Sequence, residues 1–193
     1  MMDERDRKRQ SLPRRARLVY GPVEAKGRPY RSEALLMDGR RAPLFAIIPP
    51  PVVYAATFLV GWGVSRLLVW SPAWIETPAA RWAGLALLIL GLALAAVAAG
   101  LFASRRTTFN PAGHPASLVE TGVYAWTRNP MYVALTSIYA GAALVLGQVE
   151  TLILVALPWA LVNWIVIPFE EARLRETFGQ TYVDYCRRVR RWL

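Results

Sequence analysis

The chain has 193 residues, 55% of them hydrophobic and 19% charged, and a formal net charge of +10. A soluble domain runs at about 45–50% apolar and about 25% charged. Here the charges collect at the two ends and in one central loop, which argues against globular patterning and for a membrane-embedded bundle.

One cysteine, Cys186, excludes an internal disulfide, and with a lone histidine, His114, no metal site of the usual composition is expected. No apolar core follows the basic N-terminus within signal-peptide range, so a cleaved targeting segment is not expected. The positive charge reads as basic flanks that stay in the cytoplasm and touch anionic lipid, in preference to a nucleic-acid surface.

Residues 1–44 hold twelve Lys or Arg and six Asp or Glu, with weak periodicity, and read as a basic cytoplasmic arm. The membrane-embedded domain takes up residues 45–193. Its first span, 51–70, opens on Pro49-Pro50-Pro51 and carries one charge, Arg66, placed to snorkel. The second, 81–103, is the most apolar, with Gly91, Ala95 and Ala99 every four residues as a candidate small-residue packing stripe.

A loop over 104–130 carries Arg105, Arg106, Arg128 and His114. The third span, 131–146, is short for a full crossing. A tight turn at Gly147–Glu150 leads to the fourth, 151–169, which Pro158 and Pro168 should bend, with Asn163 inside it. From 170 to 192, Leu174, Phe178, Tyr182, Tyr185, Val189 and Trp192 recur at helical spacing, which predicts an amphipathic helix on the membrane surface.

The fold class is therefore all-α and integral to the membrane: four transmembrane helices and a C-terminal interfacial helix. Four crossings put the arm, the 104–130 loop and the tail, where the basic residues lie, on one side. That side is the cytoplasm of a cell inner membrane, with both termini inside.

The loop closes on Gly122-Val123-Tyr124-Ala125-Trp126-Thr127-Arg128-Asn129-Pro130-Met131-Tyr132. A hydrophobic hairpin follows, then Glu170-Glu171, then Phe178-Gly179, Tyr182, Tyr185 and Val189. In this ordered set the chain resembles the isoprenylcysteine carboxyl methyltransferases and their prokaryotic relatives, which are related to phospholipid N-methyltransferases. Their pattern is Arg-His-Pro-x-Tyr, a hydrophobic hairpin and a Glu-Glu pair. Leu118, Val119, Gly122 and Tyr124 match the approach to it.

The resemblance implies a methyltransferase using S-adenosylmethionine on a lipidic or lipid-linked acceptor. It places Arg128, Glu170 and Glu171 at the reacting groups. Leu118, Val119, Gly122, Tyr124, Asn129, Tyr132 and again Glu171 fall around the cofactor. The chain departs from the pattern at Asn129, where the family has histidine. Asparagine exchanges hydrogen bonds but does not titrate near neutrality, so a general base at this position is excluded and a holding role survives.

Each residue also has a plainer reading. Glu171 with Arg175 makes an i,i+4 pair, Arg128 a positive-inside anchor, and the tyrosines an interfacial belt. Asn163 would either line an acceptor tunnel or bond a carbonyl freed by proline. Without a histidine, carboxyl O-methylation is favoured over amine N-methylation, because a carboxylate is already ionised at neutral pH. The rivals are an NADPH-dependent reductase of the steroid-reductase type and a non-catalytic scaffold with a decayed site.

Overall fold

A computed structural model describes residues 48–68, 71–104 and 118–193. The chain divides into two units, residues 1–41 and Ala42–Leu193. The basic arm, Arg105, Arg106 and His114 lie outside the described residues. Helix α1 (Pro50–Leu67) starts with prolines in its first turn, where missing N–H groups cost nothing. Arg66 near its end lies over the Trp62 ring, 5.1 Å from the centroid, one turn back on the same face.

Helix α2 (Pro78–Ser104) begins at Thr77, whose Oγ1 accepts from the Ala80 amide at 3.2 Å while Pro78 takes the first helical position. It packs along α3 (Pro130–Val145) through glycine. A Cβ on Gly84 would lie 2.8 Å from the Gly141 carbonyl oxygen. One on Gly141 would lie 2.6 Å from the Leu88 nitrogen, and one on Gly91 3.0 Å from the Ala134 oxygen. The buried small residues of α2 are therefore Gly84, Gly91 and Ala98.

The packing stripe thus repeats every seven residues, with Leu88 and Ala95 half-buried between its members. It does not follow the four-residue spacing of Gly91, Ala95 and Ala99. A seven-residue repeat keeps one face against a neighbour over several turns, whereas a four-residue repeat drifts off it. The other faces of α2 are apolar and uncovered: Trp82 is 71% exposed and Leu90 66%.

Helix α3 ends in a Schellman turn. Gly147 has φ +67°, its N–H bonds the Leu144 carbonyl at 3.1 Å, and the Gln148 N–H bonds the Ala143 carbonyl at 2.9 Å. Helices α4 (Val149–Leu154) and α5 (Ala156–Leu161) follow, then a π turn (Val162–Val166), then α6 (Ile167–Phe178). In the π turn the Ile167 N–H reaches back five residues to the Val162 carbonyl, just before Pro168. The expected break in this span is thus a widened turn between two prolines.

The α4–α6 run lies against α1 at Gly61, where a Cβ would sit 2.8 Å from Thr151 Cα. Ser65 Oγ donates to Glu150 Oε2 at 2.9 Å beside it. Further along, Tyr54 and Phe58 of α1 meet the Tyr139 ring edge-on.

Two runs, Pro78–Leu101 and Val149–Phe178, are long and apolar enough to cross a membrane. Helix α3, at 16 residues, reaches about 24 Å against a hydrocarbon core of about 30 Å. Among the described residues two runs meet this length and composition test; the four crossings that the sequence reading expects are not shown by it.

The tail is not one interfacial helix from 170 to 192. Helical structure runs unbroken from the fourth span to Phe178 and stops at Gly179, which has φ +54°. Helix α7 (Gln180–Arg188) then turns its apolar side inward. Tyr182, Tyr185 and Val189 pack with Leu118, Leu174 and Phe178, while Trp192 joins a different cluster around Tyr54 and Tyr132. The periodic apolar face is spent largely on packing within the protein itself.

Candidate active site

The motif turn enters through Gly122, whose φ of +63° opens a 3₁₀ turn over Gly122–Ala125. A Cβ there would meet the Leu101 side chain at 2.8 Å, so the residue brings the loop down onto the end of α2. Val119 and Tyr124 are buried against Ala98, and Leu118 packs on the Tyr182–Tyr185–Val189 cluster. These side chains are core, and what they offer a ligand is the backbone between them.

The Tyr124 carbonyl accepts the Tyr185 hydroxyl at 2.7 Å. Burial raises the phenols of Tyr124, Tyr182 and Tyr185 above their usual range, so they stay neutral.

Pro130 starts α3 and aims two side chains of the motif at the Glu-Glu pair. Tyr132 donates from its hydroxyl to Glu170 Oε1 at 2.7 Å. Arg128 places Nη2 3.3 Å from Glu171 Oε1, with 12% of its side chain exposed and 7% of the glutamate's. Adjacent helical residues point about 100° apart, which predicts that only one glutamate can face the site. Both are engaged, because Arg128 and Tyr132 bracket the start of α3 and reach α6 at two places.

Glu171 is the centre of charge. Besides Arg128 it meets Arg175 Nη2 at 3.8 Å, the i,i+4 pair, and Arg191, whose Nε and Nη2 bond Oε1 and Oε2 at 3.1 and 2.8 Å. Arg191 makes a two-pronged guanidinium–carboxylate pair. A buried carboxylate is tolerated when it is paired and hydrogen-bonded in this way. Sequence reasoning missed Arg191. Its signal was only a basic residue in a basic tail, 20 positions from its partner.

Asn129 donates from Nδ2 to the Arg191 carbonyl at 3.0 Å, and its own N–H bonds Thr127 Oγ1 at 3.2 Å. Asn163 Oδ1 accepts Trp192 Nε1 at 2.9 Å, a partner that neither expectation for this residue named.

Arg128 Nη1 also donates to Cys186 Sγ. Arg128 Nε is buried, with no acceptor among the described residues. An unspent guanidinium donor matches carboxylate geometry.

No curated protein and no solved structure matches the chain. A family model does, described as phospholipid methyltransferase, over residues 79–181. The match takes in α2, the motif turn, the α3 hairpin and the Glu-Glu pair, more than half of the chain. With its two membrane-length apolar helices, this is a membrane protein that belongs to the phospholipid methyltransferase family.

Proposed function

We propose that the protein transfers a methyl group from S-adenosylmethionine to a lipidic or lipid-linked acceptor at the cytoplasmic face of a cell inner membrane. In this reading all four helical runs cross or enter the bilayer, both termini are cytoplasmic, and basic flanks meet anionic lipid. The observation that carries it is the meeting of the motif turn with the Glu-Glu pair, Arg128 on Glu171 and Tyr132 on Glu170, inside the matched family region.

When bound, the cofactor supplies an electrophilic methyl whose bond to sulfur breaks, with the electron pair going to sulfur, as the bond to the acceptor forms. The residues of the chain bind and align. Arg128, with its buried Nε, would hold the cofactor carboxylate, and Glu171, held by three guanidiniums, would keep Arg128 in place for it. The turn at Leu118–Tyr124 offers backbone groups, and Tyr132 holds Glu170 in one orientation. Such a reaction gains mainly from alignment and from excluding water. A site where a polar turn meets helices with lipid-exposed faces suits both needs.

Carboxyl O-methylation is the favoured chemistry, since no residue at position 129 can remove a proton. The second reading, amine N-methylation, draws on Glu170. Three guanidiniums occupy Glu171, whereas Glu170 has a single tyrosine and stays partly exposed. A base, where one is needed, would be Glu170.

The test is binding of S-adenosylmethionine to the purified protein by calorimetry, followed by transfer to lipid extracts in the wild type and Glu170→Gln. Steeply reduced, pH-dependent transfer in the variant selects the amine; transfer that persists selects the carboxylate. Absence of cofactor binding by folded protein, with NADPH binding instead, would decide for the reductase. Binding of neither would decide for a scaffold.

A further inference from the structure

Residues 190–192 touch the site at three separate places. The Arg128 N–H bonds the Arg190 carbonyl at 2.9 Å, within a parallel bridge between Thr127 and Arg190. The Arg191 carbonyl accepts both Thr127 Oγ1 at 3.1 Å and Asn129 Nδ2 at 3.0 Å, while its guanidinium grips Glu171 with two bonds. Trp192 reaches the π turn, donating to Asn163 Oδ1, with its ring 5.9 Å from that of Trp159.

Three consecutive residues thus join the motif turn, the Glu-Glu pair and the widened turn of the last long helix. These elements are otherwise distant in sequence. Each link is polar and directional, so it sets orientation as well as proximity.

We infer that the 190–192 segment is a positioning strap, with Arg191 and Trp192 as positioning residues for the reaction proposed above, on which this inference rests. Arg191 fixes the rotation of the Glu171 carboxylate so that Arg128 Nη2 can meet Oε1, the oxygen that Arg191 Nε also bonds. Asn129 acts through the strap: its amide holds the Arg191 carbonyl, a service that needs a donor and no titrating group. That accounts for asparagine where the family pattern has histidine. Trp192 fixes Asn163, and with it the register of the π turn from which α6 carries both glutamates.

The test is calorimetric binding of S-adenosylmethionine to full-length protein in lipid nanodiscs, together with amide hydrogen exchange over residues 127–132. The variants are Arg191→Ala, Arg191→Lys, Trp192→Phe, Glu171→Gln, the Arg191→Ala/Glu171→Gln pair, and Arg187→Ala on the exposed side of α7 as control. Arg191→Ala should weaken binding at least tenfold and speed exchange at the Arg128 amide. Lysine, which keeps the charge but not the fork, should restore part of the loss. The double variant should lose little more than Glu171→Gln alone, because the two groups act as one. Trp192→Phe should give a smaller loss, and Arg187→Ala none.

Wild-type binding that Arg191→Ala leaves unchanged, or losses that add in the double variant, would overturn the strap and leave the cofactor reading standing. Losses that track melting temperature alone and are not eased by lysine would also overturn it. Absence of binding by the wild type would overturn both.

Discussion

The seam between α2 and α3 and the cluster around Glu171 hold the molecule by opposite means. At the seam, Gly84, Gly91 and Gly141 let backbone approach backbone until an added Cβ would sit 2.6–3.0 Å from main-chain atoms. At the cluster, Arg128, Arg175 and Arg191 come from three segments to a single buried carboxylate. The seam is held by shape and fails when an atom is added. The cluster is held by charge and fails when one is removed. A membrane enzyme needs both, since lipid offers helices no hydrophobic drive to associate and gives a buried charge no solvent to fall back on.

The sharpest way to break the comparison is at Glu171. Glu171→Ala leaves three guanidiniums facing one another, and a loss of about 3–5 kcal/mol is expected from breaking a buried ion network on one side. Thermal unfolding in detergent should show it, with loss of cofactor binding alongside. Glu171→Gln keeps the volume and should recover part of the stability and little of the binding.

Next comes the seam. Gly141→Ala should cost about 1–3 kcal/mol by overpacking, because the obstructing atoms are backbone and cannot turn aside. Gly63→Ala and Gly100→Ala meet nothing within 4 Å of the new Cβ among the described residues and should unfold like the wild type. Equal losses at all three would mean that helix flexibility, and not close approach, is what glycine supplies.

Tyr132→Phe removes the hydroxyl on the half-exposed Glu170 and should cost about 1.5–3 kcal/mol, the usual worth of a hydrogen bond to a charged group, with transfer slowed more than cofactor binding. The smallest effect is expected at position 129. Asn129→His keeps a donor for the Arg191 carbonyl and should bind cofactor within about threefold of wild type. Asn129→Ala, without the donor, should cost about 1 kcal/mol, read in the same titration.

The two regions also differ in how far the chain announces them. Close helix packing in the second span was readable from its small residues, but the four-residue stripe was the wrong one. Gly84 lies near the start of the predicted 81–103 span, seven residues from Gly91, and a search for four-residue spacing passes over the seven-residue repeat that begins with it. The motif turn and both glutamates were readable from their order. What each glutamate bonds was not, because one-dimensional spacing says nothing of which side α3 presents to α6. Arg191 and Trp192 were counted as basic flank and apolar face, since nothing local distinguishes a strap from a frayed end.

By itself, then, the sequence determined a helical membrane protein, the positions of its first three long helices to within a few residues, and the ordered motif of its family. Those follow from composition, proline and glycine punctuation and residue order, all of which act over a turn or two of chain. Only the tertiary structure decided that the tail breaks at Gly179 and folds inward, that Asn163 serves Trp192, and that one carboxylate gathers three arginines. Apart from the i,i+4 pair of Arg175 with Glu171, these contacts join residues 20 to 64 positions apart, chosen by packing and by the cost of leaving a buried charge unpaired.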